Sequence, residues 1–213
     1  DENIYSDSLT TEHYNPYKKT FGIDLIVATN TIVQTFYPEQ EERSADGIFT
    51  FGGGLEYFLN DYLMLQGSYV YSKDLKNIKD LKNVVVRDPN YHHMMELSAK
   101  FVSTPWQVLN FYGMIGGQVL YSKYSITFGK FETFTKYGMN GGIGIMSNIK
   151  AGKAGLFTLQ AEWKVDFIFG KSKLKYDYRY EITNPKYDAG VDVSWFYSIP
   201  RLIIAWYPGY KSK

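Results

Sequence analysis

Residues 157–169 read FTLQAEWKVDFIF, and this segment decides the fold class. Every odd position from Phe157 to Phe169 is apolar, whereas the even positions are polar except for Ile168. Successive side chains of a β-strand point to opposite faces, so a period of two predicts a strand with one apolar and one mostly polar face. The segment therefore predicts a long amphipathic strand.

The same period of two recurs in seven further segments, which brings the predicted number of strands to about eight. In the last segment Pro200 cannot donate a backbone hydrogen bond, so we expect a bulge or a register change near it. The pattern predicts an all-β, antiparallel, up-and-down barrel, and this barrel would be a transmembrane one if its apolar face points outward. The seven further segments cover residues 20–36, 48–59, 62–72, 92–102, 108–121, 136–149 and 191–207.

Composition agrees with strands and turns and excludes several classes of protein. The 213 residues include 20 Tyr, 14 Phe and 19 Gly, and aromatic side chains suit a pleated sheet whereas Gly disfavours helices. A net charge of +1 argues against nucleic-acid binding. The absence of Cys excludes disulfides, thiol catalysis and Cys-ligated metals. Because the chain lacks the roughly 18 consecutive apolar residues of a membrane-spanning helix, it can cross a bilayer only as a closed barrel.

The predicted connections between strands alternate in length. Three are short, at 60–61, 103–107 and 150–155, and such alternation is typical of outer-membrane barrels, which have short periplasmic turns and long extracellular loops. Within the second long connection the repeat Asp74–Asn77 and Asp80–Asn83 predicts either a short helix or an irregular loop. The four predicted long loops are 37–47, 73–91, 122–135 and 171–190.

Alternation alone does not say which face points inward, because a soluble lipocalin-like carrier has its apolar face around a ligand. The interior of an eight-stranded barrel is only wide enough for side chains, and large residues such as Trp163, Phe167 and Phe169 would overpack it. The polar face, rich in Gly, Ser, Thr, Asn and Gln, suits that interior better. We therefore expect the apolar face to contact lipid.

In this pattern, residues 18–210 resemble the small outer-membrane barrels of the OmpA transmembrane-domain, OmpX and OmpW type. The resemblance implies an integral protein in the outer membrane of a diderm bacterium. Those barrels usually end on an aromatic assembly signal, whereas Tyr210 is followed here by Lys211-Ser-Lys213, so Trp206, Tyr207 or Tyr210 is expected to serve instead. We expect a polar N-terminal segment at 1–17 that reads like a mature terminus after export, one barrel domain at 18–210 and a tail at 211–213.

With the apolar face outward, eight charged side chains point into the barrel. Buried charges must be paired, so we expect a network that plugs the pore and brings Lys100 and Lys164 within ion-pair reach of carboxylates. Five acids against three bases leave excess negative charge, and conduction of ions or protons is the alternative. The predicted network consists of Asp24, Glu56, Glu96, Lys100, Glu162, Lys164, Asp166 and Arg201.

Aromatic side chains gather near the ends of the predicted strands. Amphipathic rings prefer the level of the lipid headgroups, so such clusters predict the two aromatic belts of a membrane barrel. The predicted lipid-facing and belt residues are Tyr57, Tyr69, Tyr71, Trp106, Tyr121, Trp163, Phe167, Phe169, Trp206 and Tyr207.

Catalysis, cofactors and metal sites are not predicted. The only histidines available as a general base are His13, His92 and His93, and no Ser lies in a recognisable arrangement beside them in the sequence. His92 and His93 are adjacent strand residues that point to opposite faces, which argues against a shared metal.

Loops on a rigid scaffold favour a non-enzymatic surface protein that supports the outer membrane. Its partners would be outer-membrane lipid and host or cell-surface macromolecules contacted by the loops. The alternatives are a narrow channel for small or apolar solutes, as the resemblance to the OmpW type implies, and the soluble carrier.

Overall fold

The computed structural model describes residues 20–37, 41–73, 78–79, 85–87, 90–105, 107–127, 130–151, 154–170 and 190–208. No helix among them is long and apolar enough to cross a membrane. The described residues form ten β-strands: β1 Phe21–Tyr37, β2 Glu41–Phe58, β3 Leu63–Lys73, β4 Ile78–Lys79, β5 Val85–Arg87, β6 Tyr91–Val102, β7 Leu109–Thr127, β8 Lys130–Lys150, β9 Leu156–Phe169 and β10 Gly190–Tyr207.

Eight of these strands form a closed barrel in the order β1-β10-β9-β8-β7-β6-β3-β2. All eight neighbouring pairs are antiparallel, and β1 closes the barrel by pairing with β10. The strands β4 and β5 form a separate two-stranded ribbon. The predicted up-and-down barrel of eight strands is therefore confirmed.

The predicted irregularity near Pro200 is also confirmed. The register between β10 and β9 shifts between Ser198 and Arg201, and the register between β1 and β10 shifts at Ala28 and Asn30. A proline removes one donor from the ladder, so a shift at this point lets the strand resume regular pairing on both sides. Arg201 thereby faces the interior.

The barrel is apolar outside and polar inside. Its exposed large hydrophobic side chains have between 38% and 71% of their surface accessible, and they alternate along the strands with buried residues. This orientation is the reverse of that in a soluble carrier, whose apolar face surrounds a ligand. Exposure of so much apolar surface fits a protein surrounded by lipid.

Short turns join the strands at one end of the barrel, which we call the short-turn end. At the first turn, the side-chain oxygen Asn60 Oδ1 accepts hydrogen bonds from the backbone N–H groups of Tyr62 and Leu63, at 2.9 and 2.8 Å. At the turn before β9, Gly155 has a φ of 100°, a conformation that favours glycine. The indole Nε1 of Trp206 donates to the backbone oxygen of Ala154 at 2.7 Å and ties this turn to β10.

The opposite end, the long-connection end, differs in part from the prediction. Two of the connections predicted as long loops, 37–47 and 122–135, consist mainly of strand: β1 continues to Tyr37 and β2 begins at Glu41, while β7 continues to Thr127 and β8 begins at Lys130. In the connection 73–91, the described part is the β4–β5 ribbon and includes no helix. Residues 1–17, 171–189 and 211–213 lie outside the described residues.

Candidate functional site: the barrel lumen

All eight charged residues predicted to point inward lie inside the barrel, with relative exposures between 0% and 6%. They come from β1, β2, β6, β9 and β10, and each occupies the inward parity of its strand. Buried charges are tolerated when they are paired and hydrogen-bonded, so their partners determine what the lumen can do.

Lys100 on β6 is the centre of one group of ion pairs. Its Nζ lies 2.5 Å from Glu162 Oε1 on β9 and 3.5 Å from Glu56 Oε1 on β2. It also donates a hydrogen bond to Gln160 Oε1 at 2.9 Å. Because β6 and β9 are not neighbours in the sheet, these contacts cross the lumen.

Lys164 and Arg201 form a second group around Glu96. Lys164 Nζ lies 2.6 Å from Glu96 Oε1 and 2.5 Å from Asp166 Oδ1. Arg201 Nη1 donates to Glu96 Oε2 at 2.7 Å, and Arg201 Nε lies 3.3 Å from Glu162 Oε2. Arg201 therefore joins the two groups, and both lysines lie within the ion-pair reach that the sequence predicted.

Two glutamines complete the network around the carboxylates. Gln66 Nε2 donates hydrogen bonds to Asp24 Oδ2 at 2.6 Å and to Glu56 Oε1 at 3.3 Å. The side-chain amide of Gln66 therefore links the carboxylate of Asp24 to that of Glu56. Gln160 Nε2 donates to Glu56 Oε1 at 2.9 Å. Sequence reasoning placed both glutamines on the polar face but assigned them no role.

Two tyrosines also reach the network, and one of them corrects the sequence analysis. Tyr112 donates to Glu162 Oε1 at 2.9 Å. Tyr207, predicted to lie in the lipid-facing belt, is buried in the lumen and donates to Glu56 Oε2. The clustering of aromatics suggested a belt residue, but counting in steps of two from the inward Arg201 puts Tyr207 inside.

Glycines on neighbouring strands provide space for these rings. A Cβ on Gly22 would lie 2.7 Å from the ring of Tyr207, and a Cβ on Gly144 would collide with the ring of Tyr112. The rings of Tyr207 and Tyr112 fit inside a barrel of only eight strands because each lies beside an inward-facing glycine on the next strand.

An apolar cluster, here called the plug, adjoins the ion network at the short-turn end. Its members are inward residues from the strand ends next to the short turns. They adjoin the charged groups and fill that end of the lumen with mostly apolar side chains. The cluster consists of Phe58, Met64, Val102, Tyr112, Met146, Leu156, Ala205 and Tyr207.

Towards the long-connection end, the inward side chains are mostly neutral and polar. Asn30 donates to Thr50 Oγ1 at 2.7 Å, and Thr50 shares a hydrogen bond of 2.7 Å with Ser72. His92 Nδ1 lies 2.8 Å from Ser122 Oγ, a pair that the sequence did not reveal because the residues are 30 positions apart. Both are buried inside the barrel, so this pair does not face the outer surface where lipid would lie.

The predicted belt residues other than Tyr207 and Trp106 lie on the outer face. Tyr69, Tyr121, Trp163, Phe167, Phe169 and Trp206 are exposed, and Tyr57 and Tyr71 are partly exposed. Trp106 lies outside the described residues. His93 also faces outward, where its Nδ1 lies 2.6 Å from the hydroxyl of Tyr69. Within the described residues, no cluster of His, Asp and Glu could hold a metal ion.

Comparison with known proteins gives a structural likeness. No protein-family profile matches the chain, and no curated protein matches its sequence. The crystal structure of Neisserial surface protein A (NspA) is 12% identical with a TM-score of 0.58, covering 88% of this chain and 96% of that one. The N-terminal β-barrel domain of Pseudomonas aeruginosa OprF is 14% identical with a TM-score of 0.50, covering 89% and 98%. The chain therefore has the fold of the small eight-stranded outer-membrane β-barrels.

Proposed function

We propose that this protein is an integral outer-membrane barrel with a closed lumen. It acts as a non-enzymatic anchor that presents the segments at its long-connection end for surface interaction or adhesion. The apolar outer surface supports insertion into a bilayer, since lipid-exposed side chains of this kind would be costly in water. The fold shared with outer-membrane barrels supports that membrane in particular.

The observation that carries the closed lumen is the paired ion network above the plug. The side chains of Lys100, Glu56 and Glu162 are fully buried, and Lys100 contacts both glutamates across the barrel. A conducting pore needs hydrated groups along its path, whereas these charges are satisfied by protein. The apolar plug below them adds a barrier to water and ions.

The long-connection end supports the anchoring role. The pairing of β6 with β7 ends at Tyr91 and Lys123. Beyond this pair, β7 continues to Thr127, and its partner β8 begins at Lys130. The β7–β8 hairpin therefore extends beyond the strand β6 next to it. Protruding hairpins on a rigid scaffold offer edges and tips to other macromolecules.

Conductance in planar bilayers tests the closed lumen. We expect purified protein to insert, migrate differently before and after boiling in detergent, and give no single-channel steps. A triple variant, Phe58→Ala with Tyr112→Ala and Tyr207→Ala, removes the rings of the plug and serves as the control that can conduct. Ohmic steps from the wild-type protein would instead support the alternative function, a narrow channel.

Adhesion of intact cells tests the surface role. Cells that display the wild-type protein are compared with cells that display a variant in which residues 124–132 are replaced by a two-residue turn, which keeps Lys123 paired with Thr133. We expect the wild type to adhere to host-cell monolayers and the shortened variant to adhere less, with equal heat-modifiable protein in both. Equal adhesion by the two cell types would show that the β7–β8 hairpin does not mediate adhesion.

A further inference from the structure

The outer faces of β3, β6 and β7 carry an unusual pair of charges. Among the described outward positions of these strands stand two lysines, Lys73 and Lys123, and no carboxylate. The outward residues nearer the middle of the same strands are apolar, as at Leu97 and Ile115. Two cations on an otherwise uncharged, membrane-facing surface point to an anionic ligand.

The two lysines belong to one cross-strand row. Tyr91 pairs with Lys73 on one side and with Lys123 on the other. Lys73 Nζ lies 5.5 Å from the ring centroid of Tyr91, and Lys123 Nζ lies 4.2 Å from that of Phe131. Strands two places apart are about 10 Å apart, and each ammonium group rests on a different ring, so the two charges stay separate.

Directly below this row lies a continuous aromatic surface. The ring centroid of His93 is 5.1 Å from that of Tyr71 and 5.8 Å from that of Tyr121. Tyr71 also stacks on Tyr91 at 6.3 Å, which links the surface to the row of lysines. Rings with an apolar body and a polar tip are typical of the boundary between acyl chains and headgroups.

The position along the strand agrees with that boundary. Ten residues separate Tyr91 from Phe101 at the other end of β6. At about 3.4 Å per residue and a tilt of about 40°, this corresponds to roughly 26 Å along the barrel axis, close to the height of about 25 Å for the apolar band of such barrels. The lysines therefore lie at one edge of the band, where phosphate groups of lipids are found.

We propose that Lys73, Tyr91 and Lys123 bind the headgroup of an outer-leaflet lipid that carries two phosphate groups, with its acyl chains against Tyr71, His93 and Tyr121. The proposal rests on the proposed function, because it requires this end of the barrel to lie at the outer leaflet. An ammonium group is a point charge that binds phosphate well. Because the two ammonium groups are separate, they match a headgroup with two phosphate groups better than a headgroup with a single phosphate. The uncharged, lipid-facing surface below them favours a lipid over a free anion.

Titration followed by native mass spectrometry tests the site. The probes are diglucosamine glycolipids with two, one or no phosphates, added to protein in neutral detergent. We expect affinity to fall with each phosphate removed. Each Lys near an anionic headgroup contributes about fivefold, so Lys73→Ala and Lys123→Ala should each weaken binding of the doubly phosphorylated lipid about fivefold, and together about 25-fold. Lys150→Ala, an exposed lysine at the short-turn end, is the matched control and should bind as the wild type does.

Four results would overturn the proposal: unchanged binding by the double variant, an equal loss in Lys150→Ala, equal affinity for the probes with two, one and no phosphates, or displacement of the lipid by millimolar inorganic phosphate, which would indicate a free-anion site. Heat modifiability of each variant shows that the barrel is folded. A wild-type protein that fails to insert into bilayers would contradict the proposed function itself. An inserted, non-conducting protein without phosphate preference would contradict only this inference.

Discussion

At the scale of single residues, the lumen depends on the absence of some side chains as much as on the presence of others. Tyr112 and Tyr207 donate to Glu162 and Glu56 because Gly144 and Gly22 leave room for their rings. Without these glycines, the phenol groups could not reach the carboxylates. Close packing of this kind makes the lumen sensitive to small changes in side-chain volume.

We expect Gly144→Leu to lower the free energy of unfolding by about 1–3 kcal/mol, because the new side chain displaces the ring of Tyr112. Urea unfolding in lipid vesicles measures this change. Gly67→Leu is the matched control, since Gly67 faces outward with open space around its Cβ position, and it should be close to neutral. Equal losses at both glycines would contradict the packing described for Tyr112.

We expect Lys100→Ala to cost about 3–5 kcal/mol of unfolding free energy, because it leaves Glu162 and Glu56 buried without this cation. The same vesicle-based unfolding measurement applies, with the exposed Lys150→Ala as the control. A nearly neutral Lys100→Ala, accompanied by a change in ion selectivity, would indicate a wet pore and favour the channel alternative.

At the scale of the strand, the two faces should respond differently to charge and to depth. Leu97 lies in the middle of β6 and is 63% exposed on the outer face. Relative to Leu97→Ala, we expect Leu97→Arg to cost about 2–4 kcal/mol, whereas Thr133→Arg relative to Thr133→Ala should cost about 0–1 kcal/mol near the rim. Vesicle unfolding gives both differences, and a Leu97 cost no larger than that of Thr133 would exclude a membrane-facing middle of β6.

The hairpin and the turns should lie on opposite sides of the membrane. The chain has no Cys, so single cysteines can be introduced at position 128, between the end of β7 and the start of β8, and at Ala151, in a short turn. On intact cells we expect an impermeant maleimide to label position 128 and to leave position 151 unlabelled until the cells are lysed. The reverse pattern of labelling would invert the proposed topology.

The strands were predictable from sequence, whereas several ends and contacts were not. A period of two identified all eight barrel strands, and it correctly oriented Trp163 and Lys164 on opposite faces. The extensions of β7 and β8 were missed because the period of two that runs through residues 108–121 does not continue in the same phase into residues 122–135. The pair His92 and Ser122 could not be found because the cross-strand register is a three-dimensional property.

At the scale of the whole molecule, the distribution of side chains in the barrel is the reverse of that in a water-soluble protein with an apolar core. Polar and charged groups fill much of the interior, where the charged ones form ion pairs, and apolar groups cover the outside. Ion pairs such as Lys100 with Glu162 restrict which side chains can face one another across the lumen, whereas lipid can accept any apolar side chain on the outer face. Sequence reasoning located the charges, and the structure supplied their pairing.

The pairing of β1 with β10 has a consequence for the order of folding. Ile23 on β1 pairs with Trp206 on β10, so the sheet cannot close until the chain has been synthesised through β10. Until then β1 and β9 both have open edges, which invite aggregation. Arg201 and Tyr207 arrive with the same last strand, so closure of the wall and completion of the lumen network become one event. Such a chain needs protection from aggregation until its last barrel strand is present.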